Sequence, residues 1–147
     1  EESYDLSIRF FFVPIKIIGT PQKEKYKIMD QNKRKTGNYG EELACRFLKD
    51  LGYEIIEQNY QFGHGEIDII AKDDEILVFV EVKYRQNLEF GPPELSIPIS
   101  KQKQIRKTAE AYLYEKEIKD QTCRIDVIAI LHLKDTKPKI NHIINAF

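Results

Sequence analysis

From Glu66 to Tyr84 the chain carries two apolar runs, EIDIIA (Glu66–Ala71) and ILVFVEVKY (Ile76–Tyr84), on either side of the charged stretch Lys72-Asp73-Asp74-Glu75. Runs rich in Ile and Val and bounded by Asp read as strands, so the pair should form an antiparallel hairpin. If its loop is Asp73-Asp74, Asp68 lies opposite Phe79 and Glu66 opposite Glu81. Because side chains alternate between faces, Glu66, Asp68, Glu81 and Lys83 then all project from one face. A register shift of two residues keeps that grouping, and a shift of one destroys it.

The remaining elements follow from periodicity. From Asn38 to Leu51 the apolar residues Leu43, Ala44, Phe47, Leu48 and Leu51 recur at helical spacing, and Gly52 supplies a stop. Tyr53 to Tyr60 reads as a strand preceding the hairpin. Leu88 to Ile99 holds Gly91, Pro92, Pro93 and Pro98 and is expected to be a loop. Ser100 offers an N-cap for a second helix, Lys101 to Lys116, with an apolar stripe of Ile105, Ala109, Tyr112 and Leu113; Lys101, four residues before Ile105, points along that inward stripe toward the acids. Arg124 to Leu133 and Ile140 to Ile144 close the chain as strands. The order αβββαββ predicts an α/β fold, a mixed β-sheet flanked by helices.

With 147 residues the chain has the size of one domain. Its only methionine is Met29, and the following MDQNKRKTGNYGEELA reads as an ordinary start. Residues 1–28 are therefore expected to be an N-terminal extension and 29–147 the domain itself. A net charge of −1 gives no global positive field, so a nucleic-acid partner would be met by local basic patches. Cys45 and Cys123 fit no metal spacing and read as free, partly buried thiols in a reducing compartment. No run approaches the ~18 apolar residues of a membrane span. The nearest, FFFVPIKII (Phe10–Ile18), is interrupted by Pro14 and Lys16, and no cleavage site follows it. The expectation is a cytoplasmic protein with no membrane partner.

Carboxylates crowded on a partly buried sheet repel one another, and desolvated anions need compensation. Lys83 balances one negative charge. A divalent cation would balance the rest, and Mg²⁺ in particular is held by one or two carboxylates while accepting phosphate oxygens. An acid-x-Lys tripeptide alone says little, since about one is expected by chance in this length at average composition. The chain has three, Glu81-Val82-Lys83, Glu117-Ile118-Lys119 and Asp135-Thr136-Lys137, and only the first lies in an apolar strand beside another acidic strand. In the first helix Glu41 shares a face with Ala44 and Leu48, whereas Glu42 shares one with Arg46 and Lys49. Glu41 is thus aimed inward, where it could join Asp68 and Glu81; the alternative is an acid that complements the helix dipole.

These residues resemble a known family. Gly37-x-x-Gly40-Glu41-x-x-Ala44, Asn59-Tyr60, Gly65-Glu66-Ile67-Asp68, Phe79-Val80-Glu81-Val82-Lys83-x-Arg85, Lys101, Ala109-x-x-Tyr112-Leu113 and Arg124-x-Asp126-Val127 are similar, in this order, to the YraN family. That family of small bacterial proteins is assigned to the PD-(D/E)xK nuclease superfamily, with the restriction-endonuclease-like fold of archaeal Holliday junction resolvases. The resemblance covers Met29 to Leu133. One departure is Ile67, which stands where the superfamily signature has Pro.

The resemblance implies a Mg²⁺- or Mn²⁺-dependent endonuclease acting on nucleic acid, DNA first and branched DNA by analogy with resolvases. Asp68, Glu81, Lys83 and Glu41 fall on the catalytic positions. The metal would be held by Asp68, Glu81, the main-chain carbonyl of Val82 and Glu41, with Glu66 in a supporting place. Arg85, Lys101, Lys103 and Arg106 are the candidate nucleic-acid contacts, together with Lys33, Arg34, Lys35 and Lys107, and Tyr84 or Phe90 could stack on an unpaired base. A resolvase would need two sites on a two-fold axis, hence a homodimer. Two alternatives stay open: a non-catalytic nucleic-acid-binding module of the same fold, and an interaction domain whose acid cluster is a solvated sheet edge. His64, His132 and His142 show no zinc-ligand pairing, and Arg124 and Asp126 are expected to pair structurally.

Overall fold

Leu43, Ala44, Phe47 and Leu48 form one buried stripe along helix α1 (Thr36–Asp50), and that stripe fixes which side of the sheet the helix covers. The computed structural model describes residues 9–10, 36–89, 91–93 and 97–147. The other elements are β1 (Arg9–Phe10), β2 (Glu54–Phe62), β3 (Gly65–Asp73), β4 (Ile76–Arg85), α2 (Ile99–Glu115), β5 (Thr122–Leu131) and β6 (Lys139–Ile143). From residue 36 onward the order is the expected αβββαββ.

The strands form one mixed sheet in the order β1-β5-β4-β3-β2, with β6 also pairing β5. β2, β3 and β4 are an antiparallel meander. β5 returns parallel to β4 through the crossover that contains α2, running from Leu77 opposite Cys123 to Arg85 opposite Leu131. The two core clusters lie on opposite faces, as alternation requires. Val78 and Val80 pack with α1, and Leu77 and Phe79 pack with Ile105, Ala109, Tyr112 and Leu113 of α2. This is an α/β fold of the restriction-endonuclease-like kind, a mixed sheet with a helix on each face.

Local chemistry sets the element ends. After α1, Gly52 adopts φ 91° and donates its N–H to the Lys49 carbonyl, while the Tyr53 N–H reaches Leu48, a left-handed helix stop. Helix α2 begins one residue before the expected Ser100 cap. Pro98 holds the cap position with no side-chain hydrogen bond, its fixed φ suiting a helix entry. Leu88 to Ile97 is irregular wherever it is described. Cys45 and Cys123 are both free and buried.

Arg9–Phe10 pairs in parallel with Thr122–Cys123, so two residues of the segment 1–28 touch the sheet edge. The rest of that segment, with Lys33, Arg34 and Lys35, lies outside the described residues, as does Phe90. No described helix is long and apolar enough to cross a membrane.

Candidate active site

The hairpin register differs from the expectation by two. Asp73 pairs with Ile76 and Ile69 with Val80, which places the turn at Asp74-Glu75 instead of Asp73-Asp74. Asp74 takes φ 49°, a left-handed position that Asp tolerates in a two-residue turn. A shift of two leaves the face of every side chain unchanged.

Strict alternation nevertheless breaks at Asp68. Ile67 packs on the α2 side and Ile69, two residues on, packs on the α1 side, so Glu66 does not share the face of Glu81 and Lys83 and the expected grouping of all four on one face does not form. The β3–β4 pairing ends at Ile69 and Val80, and just beyond it the Val82 N–H donates to Asp68 Oδ2 at 2.7 Å. Asp68 therefore turns sideways toward β4, and a carboxylate occupies the place where the two strands separate. A matching irregularity lies on β2, where Asn59 has φ 54° in the middle of the strand. The Asn59 side chain hydrogen-bonds Glu41 of α1.

The electrostatics follow from this crowding. Burial, then the neighbouring Glu81, Glu41 and Glu66 charges, push the Asp68 carboxyl up to about 7, with the Val82 N–H opposing. Burial also raises Glu81, against the pull of Lys101 and Lys83. Glu41 is raised by burial and by Glu66, with Asn59 opposing. Lys83 is lowered, first by burial and then by Arg85, while Glu81 works the other way. Burial is thus the largest cause of each carboxyl shift, and the acids of two strands and one helix also act on one another.

Lys101, in the first turn of α2, brings its Nζ to 3.5 Å from Glu81 Oε1, the approach that its place on the inward stripe suggested. The other basic candidates do not join it. Arg85 and Lys103 are exposed, and Arg106 lies over the Phe147 ring at 5.7 Å. Tyr84 packs edge-on to Tyr39 on the α1 side, and its hydroxyl is 3.2 Å from His132 Nδ1. Glu42 is exposed and pairs with Arg46. His64 is an exposed turn residue whose carbonyl accepts from Gln104.

Two features went unread in the sequence. Asn59, one of the motif residues, positions Glu41, a role whose one local signal was a turn-favouring residue inside a strand-like run. Arg124 and Asp126 do pair, at 3.0 Å, but within a larger buried network: Arg124 also binds Asp73 at 2.8 Å and the Tyr53 hydroxyl at 2.6 Å, and Asp126 binds His142 Nε2 at 2.8 Å. That network braces β3, β5 and β6.

Among the described residues no three His, Cys, Asp or Glu side chains are grouped as a ready metal cage. The donor chemistry still fits Mg²⁺, which needs only one or two carboxylates with further oxygen from water or main chain. Two desolvated acids, one of them held in place by a backbone N–H, provide that set.

The model of the uncharacterised protein family UPF0102 matches residues 40–130. The chain belongs to UPF0102. This is the YraN family that the motifs resemble. A UPF0102 protein of Geotalea daltonii is 48% identical over 118 residues, 80% of this chain and 93% of the relative. One from Caldicellulosiruptor saccharolyticus is 44% identical over 117 residues, 79% of this chain and 99% of the relative. One from Geobacter sulfurreducens is 47% identical over 111 residues, 76% and 87% respectively. The UPF0102 match includes Glu41, Asn59, Asp68, Glu81, Lys83 and Lys101.

Proposed function

We propose that this UPF0102 protein is a divalent-cation-dependent endonuclease that hydrolyses phosphodiester bonds of nucleic acid, DNA in the first place. The observation that carries the reading is the Asp68–Val82 bond, which pins one carboxylate beside Glu81 at the point where the strands part. Asp68 and Glu81, with the Val82 carbonyl and Glu41, would hold Mg²⁺ or Mn²⁺. Bound there, the ion supplies Lewis-acid stabilisation of charge developing on phosphoryl oxygens.

The chain's own groups have separable tasks. The Val82 N–H orients Asp68, and Asn59 orients Glu41. Lys83, two residues beyond Glu81 on the same strand, faces the scissile phosphate; its lowered proton affinity suits it to hold and pass a proton to or from the attacking water. Arg85 and Lys101 meet flanking phosphates. A branched substrate would call for two such sites on a two-fold axis, as in a homodimer.

The test is cleavage of single-stranded, duplex and branched DNA with Mg²⁺ or Mn²⁺ by the native protein, Asp68→Ala and Lys83→Ala. Metal-dependent cutting should fall at least about 100-fold in both variants. That no three such side chains are grouped among the described residues favours a second reading, a non-catalytic nucleic-acid-binding module. Native protein that binds DNA but cuts none of the substrates with either ion would leave that module standing and remove the nuclease.

A further inference from the structure

Resting on the metal site just proposed, we infer that Lys101 is an internal counter-ion which a divalent cation displaces from Glu81, and that the displaced ammonium then serves as a phosphate ligand. The two partners are unequal. Glu81 sits on the central strand with its side chain 13% exposed, whereas the Lys101 side chain is 36% exposed and belongs to a separate element. The anion is fixed and desolvated; the cation arrives from the rim on a flexible four-carbon stem. At 3.5 Å and this exposure the pair is weak and breaks readily.

The surrounding charges explain why a lysine is held there. Asp68, Glu66 and Glu41 add negative charge nearby, and Lys101 heads the attractions that offset the burial of Glu81. Lys83 cannot take the same part, because it is on the same strand as Glu81 and stays on the site whatever fills it. Lys101 can leave. A doubly charged ion and an ammonium cannot share one carboxylate without strong repulsion, so the two compete for Glu81. Once released, Lys101 stands at the start of α2 on the rim of the site, where an incoming polyanion would pass.

The experiment measures Mn²⁺ binding to the full chain without nucleic acid, by electron paramagnetic resonance of the free ion, for the native protein, Lys101→Met, Lys101→Arg and Asp68→Asn. Lys101→Met should bind Mn²⁺ about three- to tenfold more tightly, the size expected from removing one partly screened like charge. Lys101→Arg, which keeps the charge, should resemble the native protein, and Lys101→Met should bind a short DNA duplex less tightly in Ca²⁺. These opposite shifts on ion and DNA would not come from a merely structural lysine. Mn²⁺ binding that depends on Asp68 yet is equal or weaker in Lys101→Met would overturn the inference alone. Absence of any Asp68-dependent Mn²⁺ binding would overturn the inference together with the metal site.

Discussion

Asp68 accepts the amide proton of Val82 at 2.7 Å, so two strands whose backbone pairing stops at Ile69 and Val80 are held together by a side chain. The same carboxylate that crosses this gap is desolvated and faces other acids. A structural tie and an electrostatic conflict therefore reside in one residue, and both can be measured.

The first prediction concerns pH. The Asp68 carboxyl is raised from 3.8 to about 7 in the folded state, so the native protein holds a proton there that the unfolded chain gives up. Stability contributed by this group is therefore full below about pH 4 and is lost as pH rises toward 7, by up to about 4 kcal/mol at 1.4 kcal/mol per unit. In metal-free buffer Asp68→Asn, whose amide oxygen can still accept from Val82, should gain on the native protein in urea unfolding between pH 4 and 7. A constant difference across that range would contradict the shift.

Gly65 is needed because helix α2 comes close. A Cβ built there would lie 2.0 Å from Thr108 Oγ1. Gly65→Ala should cost about 1–3 kcal/mol through overpacking. Adding Thr108→Ala should recover much of that loss. If the double mutant is no more stable than Gly65→Ala in chemical denaturation, the contact is not the cause.

Arg124→Met leaves Asp126, which is fully buried, without its guanidinium partner. Removing one side of a buried pair costs about 3–5 kcal/mol. The midpoint of thermal unfolding should drop accordingly, and added salt should not restore it, since the pair is shielded from solvent ions.

Asn59 has two tasks that substitutions can separate. Its φ of 54° is easily met by Gly and costs Ala about 1–2 kcal/mol, while both lose the bond to Glu41. Asn59→Gly should stay near native stability, and the proposed cleavage should fall as far as in Glu41→Gln. Native-level cleavage by a well-folded Asn59→Gly would separate Asn59 from the site.

Much of this was legible because periodicity reports which way a side chain points. Helical spacing distinguished inward Glu41 from outward Glu42, and it aimed Lys101 at the site. Spacing cannot count residues in a turn, however. Four successive charged residues, Lys72 to Glu75, allow a two-residue loop in more than one place, and the chain uses the later one. Nor does strand propensity register a left-handed residue in mid-strand, which is why Asn59 and the break at Asp68 went unread. His142 was noticed only for lacking a metal-ligand pattern, while its partner Asp126 comes from β5, the strand that β6 pairs with only in the folded sheet. The pairing of Arg9–Phe10 with β5 was equally hidden, since two residues carry no period.

The meander and the crossover differ in how much chain each must close. β2, β3 and β4 are joined by turns of adjacent residues, Gly63-His64 and Asp74-Glu75, whereas β4 meets β5 only after residues 86–121 have looped back. Closing the longer loop carries the larger entropic cost, so the meander is the natural early structure and the crossover the late one. During folding Asp68 and Glu81 are then brought together before α2 delivers Lys101. The acids assemble ahead of their counter-charge, and, on the metal site proposed above, a cation present in the refolding buffer would meet these carboxylates before the lysine does.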